Sequence, residues 1–298
     1  MVSDVDLLPS WNDGQAKRAT LKFVTNATTH GDAFIEPADR IAVFDNDGTL
    51  WVEQPLPVQL DFIFRALGES AQRDPTLAEQ QPYKAILTRD RSFFEAVGEQ
   101  NFDAVRALEQ GLARTWQGTT PDEFEAEVMK YLSDVKSERF GVPYTELIYK
   151  PMLEVFDLLA ANNFRIFVCS VGGREFMRVI AESAWHIPRE HVIGTSPSYE
   201  YKNGRIRRGD KLLGGLALGP GKVEHIFAYA GRMPAFAAGN ADVDIEMLER
   251  SIFAMLLVHD DMDREFAYTK AAERSVMTAR EKGWTLVSMK NDWNTMFS

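Results

Sequence analysis

The chain has 298 residues, 45% hydrophobic and 26% charged, with 20 glycines and 13 prolines; this is the makeup of one large or two ordinary folded domains and excludes collagenous, low-complexity and disordered classes. Lys and Arg number 33 against 44 Asp and Glu, a net charge of −11. That balance, without a local basic stripe, argues against nucleic acid and against an anionic membrane surface as partners.

Met1 to Asn12 carry neither the basic nor the apolar segment of a secretory leader, and no apolar run reaches the ~18 residues of a membrane span. A cytoplasmic protein is expected. Asp13 to Asn26 has helical spacing, with Ala16, Leu21, Phe23 and Val24 as its apolar members. Arg40-Ile-Ala-Val-Phe44 is a short apolar run that flows into the turn residues Asp45-Asn-Asp-Gly-Thr-Leu50, the pattern of a buried strand with a loop at its carboxyl end. From Pro55 to Glu146 the spacing is helical throughout: Phe102, Val105, Leu108 and Leu112, then Phe124, Val128, Leu132 and Val135. Thr120-Pro-Asp-Glu123 is a capping box with proline at the first helical position. The aromatics Phe93, Phe94, Phe102, Trp116 and Phe124 are assigned mostly to the core of this segment.

Beyond Lys150 helices and strands alternate. Helices are predicted over Pro151 to Asn162, Arg174 to Trp185, Lys222 to Ala230, Asp242 to Arg250 and Arg264 to Lys282. Strands are predicted over Phe164 to Cys169, His191 to Gly194, Ala235 to Ala238, Phe253 to Val258 and Trp284 to Met289, with a hairpin from Tyr199 to Arg208 around Asn203-Gly204. The only cysteine, Cys169, excludes an internal disulfide and reads as a small buried side chain. The pattern predicts an α/β fold: a doubly wound, Rossmann-like parallel sheet with an inserted all-helical cap. Residues 1–54 and 147–298 form the core and 55–146 the cap.

Ligands of such sheets bind outside the carboxyl ends of the strands. Four of those ends carry polar or reactive residues: Asp45-Asn-Asp47, Ser170-Val-Gly172-Gly173, Gly239-Asn240-Ala-Asp242-Val-Asp244, and His259-Asp-Asp-Met-Asp263. Lys222 opens a helix after Gly219-Pro-Gly221. Two carboxylates two residues apart in a tight loop can converge on a divalent cation, or divide labour, one attacking an electrophile while the other moves a proton. Magnesium takes a few oxygen ligands plus waters and substrate phosphate. Ser170 and the amides around Gly172 and Gly173 could hold phosphate oxygens, and Lys222 could neutralise them and the nucleophile.

In this order the four elements resemble the haloacid dehalogenase-like superfamily of phosphohydrolases. Asp45 to Thr49 matches its Asp-x-Asp-Gly-Thr motif, Ser170 its strand-end hydroxyl and Lys222 its lysine before a helix. Gly239 to Asp244 matches its acidic fourth motif, with Asn240 in the first acidic place. The resemblance covers roughly Arg40 to Gln54 and Lys150 to Val258. The Ser-x-Gly-Gly turn and the place of the helical insert are similar to the phosphoserine phosphatase-like branch. Glu53 lies one residue short of that branch's cap-side glutamate, so phosphoserine is not carried over as the substrate.

The resemblance implies a magnesium-dependent phosphomonoesterase acting on a small phosphorylated molecule. Asp45 is the implied nucleophile, forming an aspartyl phosphate, and Asp47 the implied acid and base. Ser170, Gly172, Gly173 and Lys222 hold the phosphoryl group. Asp45, the backbone carbonyl of Asp47, and Asn240 hold the metal, and Asp244 binds it or orients its shell. Thr49 steadies the loop. A phosphomutase or phosphotransferase, or a non-catalytic phosphate-binding protein, are the alternative readings. Asp242 reads as a helix cap or a ligand, with Lys211 a rival to Lys222. Asp260, Asp261 and Asp263 read as a solvated, helix-capping loop, and His259 as a structural hydrogen-bonding residue. Trp51 is placed where it could reach the cleft. Oligomeric state is left open.

Overall fold

The computed structural model describes residues 7–98, 101–269 and 271–298; the first six residues of the segment read for a leader lie outside them. The strands are β1 (Ile41–Phe44), β2 (Arg165–Gly173), β3 (Val192–Lys202), β4 (Arg205–Leu213), β5 (Phe236–Gly239), β6 (Phe253–Val258) and β7 (Thr285–Ser288). They form one seven-stranded sheet in the order β4-β3-β2-β1-β5-β6-β7. All pairings are parallel except β3 with β4. β1 sits between β2 and β5, with Phe44 beside Val168 on one side and Ala238 on the other. The strand order reverses direction about β1, so its carboxyl end opens onto the crevice where such sheets bind ligands.

α1 (Gln15–Thr28) precedes β1. Between β1 and β2 come α2 (Val58–Arg73), α3 (Tyr83–Thr88), α4 (Arg91–Gly98), α5 (Phe102–Thr115), α6 (Pro121–Asp134) and then α7 (Lys150–Ala161). The short α8 (Arg174–Arg178) and α9 (Ala181–Ala184) follow β2, and α10 (Pro220–Ala230) follows the hairpin. α11 (Ile245–Glu249), α12 (Glu273–Lys282) and α13 (Met289–Asp292) alternate with the last strands. No helix among the described residues is long and apolar enough to cross a membrane.

Alternate residues of β1 point to opposite faces, and both faces are apolar, which is why the strand reads as an unbroken hydrophobic run. Ala42 and Phe44 pack with Val24 of α1 and Val155 and Phe156 of α7; Ile41 and Val43 pack with Ile226 of α10 and Met247 of α11. Phe44 lies 4.4 Å from Phe156 and 5.3 Å from Phe236, ring centre to ring centre.

Among the described residues, the stretch from Val58 to Asp134 holds helices and turns and no strand, and α6 begins with the predicted Thr120–Glu123 capping box. Phe102, assigned to the core, is instead exposed. The other departures have local causes. The hairpin is longer than predicted: β3 runs past its partner β2, turns at Asn203 (φ 52°) and Gly204 (φ 76°), and returns as β4. β4 then bonds the insert, Gly118 N–H donating to the Arg208 carbonyl (2.7 Å) and Arg208 N–H to the Thr119 carbonyl (2.8 Å). The helix predicted from Arg174 to Trp185 breaks at the β-branched pair Val179-Ile180 into α8 and α9. The helix predicted from Arg264 begins only at Glu273. The Tyr268 N–H is bonded to the His259 carbonyl, and Ala271 has a positive φ of 66°, which a helix cannot hold.

Candidate active site

The site grows from the last rung of β1. Asp45 N–H donates to the Ala238 carbonyl at 2.9 Å, so the strand ladder fixes the Asp45 backbone before the chain turns away. The turn closes through Thr49 and Leu50 N–H groups on the Asn46 carbonyl and Gly48 N–H on the Trp51 carbonyl. Gly48 has φ +73°, and a Cβ there would come within 2.2 Å of the Asn240 side chain. Only glycine meets both demands. Asp47 lines the same cavity as Asp45, and the Trp51 indole Nε1–H donates to Asp47 Oδ1 at 2.8 Å. Trp51 is fully buried, its edge against the Trp185 ring.

Lys222 is fully buried, and its Nζ bridges Asp45 Oδ1 and Asp244 Oδ1, each at 2.5 Å. Burial lowers the lysine's proton affinity, but the Asp244 and Asp45 carboxylates outweigh it and the net shift is upward, so Lys222 is a permanent cation. Burial and the neighbouring Asp244 push Asp45 well above the usual carboxylate range, against the pull of Lys222. Burial also raises Asp47, from 3.8 to about 6, with the Trp51 hydrogen bond opposing the rise. The two carboxyls thus have unlike environments: one is locked to a cation, and the other, held by a neutral donor, titrates near neutrality.

At the end of β2 the register with β3 shifts between Ser170 and Gly173, a bulge that lifts the turn out of the sheet. Its amides are engaged within the protein: Gly172 N–H donates to Ser170 Oγ (3.0 Å), and Gly173 N–H donates to Oε1 of Gln59 (2.7 Å). Gln59 comes from α2, so one buried carboxamide ties the helical insert to the turn expected to receive phosphate. A Cβ on Gly173 would stand 2.6 Å from Gln59 Nε2.

Beyond β5, Asp244 Oδ2 accepts the N–H groups of Asn240 and Ala241, both at 3.0 Å. With Lys222 on the other oxygen, this fully buried carboxylate organises the loop. A Cβ on Gly239 would meet it at 2.6 Å. Asn240 accepts from Thr49 Oγ1 (3.1 Å) and donates to Glu53 Oε1 (3.2 Å). Glu53 also takes a short hydrogen bond from the Tyr268 hydroxyl, and burial raises its proton affinity. His259 Nε2 donates to the Gly48 carbonyl (2.8 Å) while Nδ1 faces Glu265 (3.0 Å), bracing the loop from behind.

A cavity of about 330 Å³ joins these elements. Asp45, Asp47, Glu53, Ser170, Gly172 and Asn240 line one end, and apolar side chains of the insert line the other. Among the described residues no three of His, Cys, Asp and Glu stand together as a self-sufficient metal cage. Two carboxylates and a neutral amide on one wall fit a magnesium ion, which keeps waters and takes substrate phosphate as further ligands. The carboxyl groups of the buried Asp45 and Asp244 and the half-buried Asp47 and Glu53 outnumber the ammonium of Lys222, so a divalent cation suits the charge as well.

The structure therefore brings Asp45, Asp47, Ser170, Gly172, Gly173, Lys222, Asn240 and Asp244 to one sheet end. Asp244 is bonded to Lys222, and neither of these two, nor Gly173, is among the residues that line the cavity. Asp242 turns away, accepting the Ser275 N–H at the start of α12, and Lys211 is exposed on β4. Asp261, expected in a solvated helix-capping loop, is instead buried and accepts the Asp263 and Arg264 amides in a turn well before α12 begins, while Asp260 accepts the Lys290 amide. Gln59 and Tyr268 carry no signal in the sequence; each arrives from a distant segment and joins by tertiary contact alone. Trp51 and Glu53, adjacent to the turn over Asp45 to Leu50, could be singled out by position but not given partners.

A family model for haloacid dehalogenase-like hydrolase matches residues 42–249. A search of curated proteins found no match. Among solved structures, a conserved protein of unknown function from Anaerococcus prevotii is similar over 95% of this chain and 94% of its own, at 14% identity and a TM-score of 0.60. A phosphoserine phosphohydrolase-like protein from Francisella tularensis is similar over 83% of this chain and 94% of its own, at 13% identity and a TM-score of 0.48.

Proposed function

The chain belongs to the haloacid dehalogenase-like hydrolase family, and from that membership we propose that it is a phosphomonoesterase working through Asp45 and Asp47. One observation carries the reading: Asp45, bonded to a buried lysine, and Asp47, whose pKa burial raises to about 6, face the same cavity. Asp45 attacks phosphorus in line with the ester oxygen, the P–O bond to the alcohol breaks, and an aspartyl phosphate forms. Asp47, protonated at the outset, gives its proton to the departing alkoxide. It then takes one from the water that attacks phosphorus, and inorganic phosphate leaves. Lys222 holds the attacking oxygen's partner in place and offsets charge that builds on the phosphoryl group.

Ser170 binds a phosphate oxygen; the Gly172 and Gly173 amides, expected from the sequence to do the same, instead donate to Ser170 Oγ and Gln59 Oε1. Asp45, the Asp47 carbonyl and Asn240 would hold Mg²⁺, which when bound polarises the phosphoryl oxygens. Asp244 acts through others: it fixes Lys222 and the Asn240 backbone. Residues 55–146 serve as a cap that excludes water and selects substrate. The test is phosphate release from a panel of phosphomonoesters with magnesium present. Wild type releases inorganic phosphate, and Asp45→Asn, folded by circular dichroism, does not. A folded variant that keeps more than a few per cent of turnover refutes the assignment.

A further inference from the structure

The cavity changes character along its length. Its inner end carries the carboxyls, Ser170 and Asn240; its outer end is walled by Leu60 and Ile63 of α2, Phe94 of α4, Leu108 and Leu112 of α5, and Leu218 before α10. None of the described residues lining it is Lys, Arg or His, and the ionisable groups that do line it, Asp45, Asp47 and Glu53, are all acids. At about 330 Å³ it is large enough to enclose an organic group besides the phosphoryl.

Resting on the phosphatase reading, we propose that the substrate is the phosphomonoester of an apolar, uncharged alcohol, its hydrocarbon lodged against the insert. Apolar surface moved from water onto these leucines gains binding in proportion to its area. A second anionic group lodged among these apolar side chains would find no Lys, Arg or His to pair with among the described lining residues, and burying an unpaired charge is costly. A polyhydroxylated group fares little better. Apart from Asp45, Asp47, Glu53, Ser170 and Asn240, the only polar side chain among the described lining residues is Gln59, whose Oε1 is already taken by Gly173 N–H. Its Nε2 can serve one hydroxyl, and each further hydroxyl buried without a partner reduces binding roughly tenfold or more. A neighbouring space lined by Glu175 and Arg208 could receive a zwitterion by charge, but at about 60 Å³ it admits a few waters and not an organic head group.

The experiment measures kcat/KM of the full chain with saturating magnesium on ethyl, butyl and hexyl phosphate, and on phosphoserine, glycerol phosphate and glucose 6-phosphate. p-Nitrophenyl phosphate is the common reference. The alkyl series is expected to rise two- to fourfold per methylene, with hexyl phosphate ahead of every charged or hydroxylated ester. Leu108→Asn, on the outer wall, should reduce the hexyl-to-ethyl ratio at least threefold. A flat alkyl series, or phosphoserine, glycerol phosphate or glucose 6-phosphate ahead of hexyl phosphate, overturns the substrate class while p-nitrophenyl phosphate turnover leaves the phosphatase reading standing. No phosphate release from any ester, the reference included, overturns both.

Discussion

Replacing Asp47 by Asn should make the protein more stable and nearly inactive at once. Asn keeps the size of the side chain and can still accept the Trp51 indole N–H, which lies 2.8 Å from Asp47 Oδ1. What it removes is the cost of ionising a carboxyl that the fold has raised from 3.8 to about 6, chiefly by burial. The sign follows from proton binding. The folded state holds the proton more tightly than the unfolded chain, so stability falls as pH rises from about 4 to about 6 and the loss persists at neutrality. At 1.36 kcal/mol per tenfold change in proton affinity the full cost is about 3 kcal/mol. Asp47 is only half-buried, which roughly halves it, to about 1.5 kcal/mol. That corresponds to a melting temperature raised by roughly 3–6 °C near neutral pH.

The gain should vanish near pH 4, where the aspartate is protonated in both states. Unfolding is followed by circular dichroism with chelator present, so that metal does not contribute. Turnover should fall about 10²–10⁴-fold, the range for a lost acid–base group. Alkyl phosphates should lose more than p-nitrophenyl phosphate, whose leaving group needs little protonation. An Asn variant that is no more stable at neutrality, or whose stability difference does not change with pH, refutes the burial argument. Equal losses on both esters refute the proton-transfer role.

Three further substitutions address the groups around this pair. Lys222→Met leaves Asp45 and Asp244 buried without their cation; urea unfolding near neutral pH should show a loss of about 3–5 kcal/mol. A loss under ~1 kcal/mol would mean that the carboxylates find another partner. Trp51→Phe removes the hydrogen bond that holds Asp47 down, so the alkaline limb of the alkyl phosphatase pH profile should move to higher pH. An unmoved limb detaches Asp47 from that limb. Asn240→Asp adds a charge at the expected magnesium wall and should lower the metal concentration for half-maximal activity, whereas Asn240→Ala should raise it. Magnesium titrations that neither variant shifts exclude Asn240 as a ligand.

The sequence by itself determined the parts that depend on neighbours in the chain. The unbroken apolar run Ile41–Phe44 can be satisfied only by a strand covered on both faces, and Asp45-Asn-Asp-Gly-Thr can follow it only as a tight turn. Thr120 to Glu123 sets the start of α6 through its own hydrogen bonds, and Asn203-Gly204 accepts the positive φ values of a hairpin turn. The alternation of such local signals is enough to yield the α/β sheet and to place the polar strand ends on one edge. Tertiary structure decided what each side chain meets there. Lys222 lies between Asp45 and Asp244 because α10 is docked under the sheet end. The Gly173 amide is occupied because α2 lays Gln59 across it, and Tyr268 reaches Glu53 because the chain leaves helical geometry before α12. The proton affinities of Asp45 and Asp47 follow from the same source. Burial sets them, and burial is a property of every segment packed around a residue, of which its own stretch of sequence supplies only one.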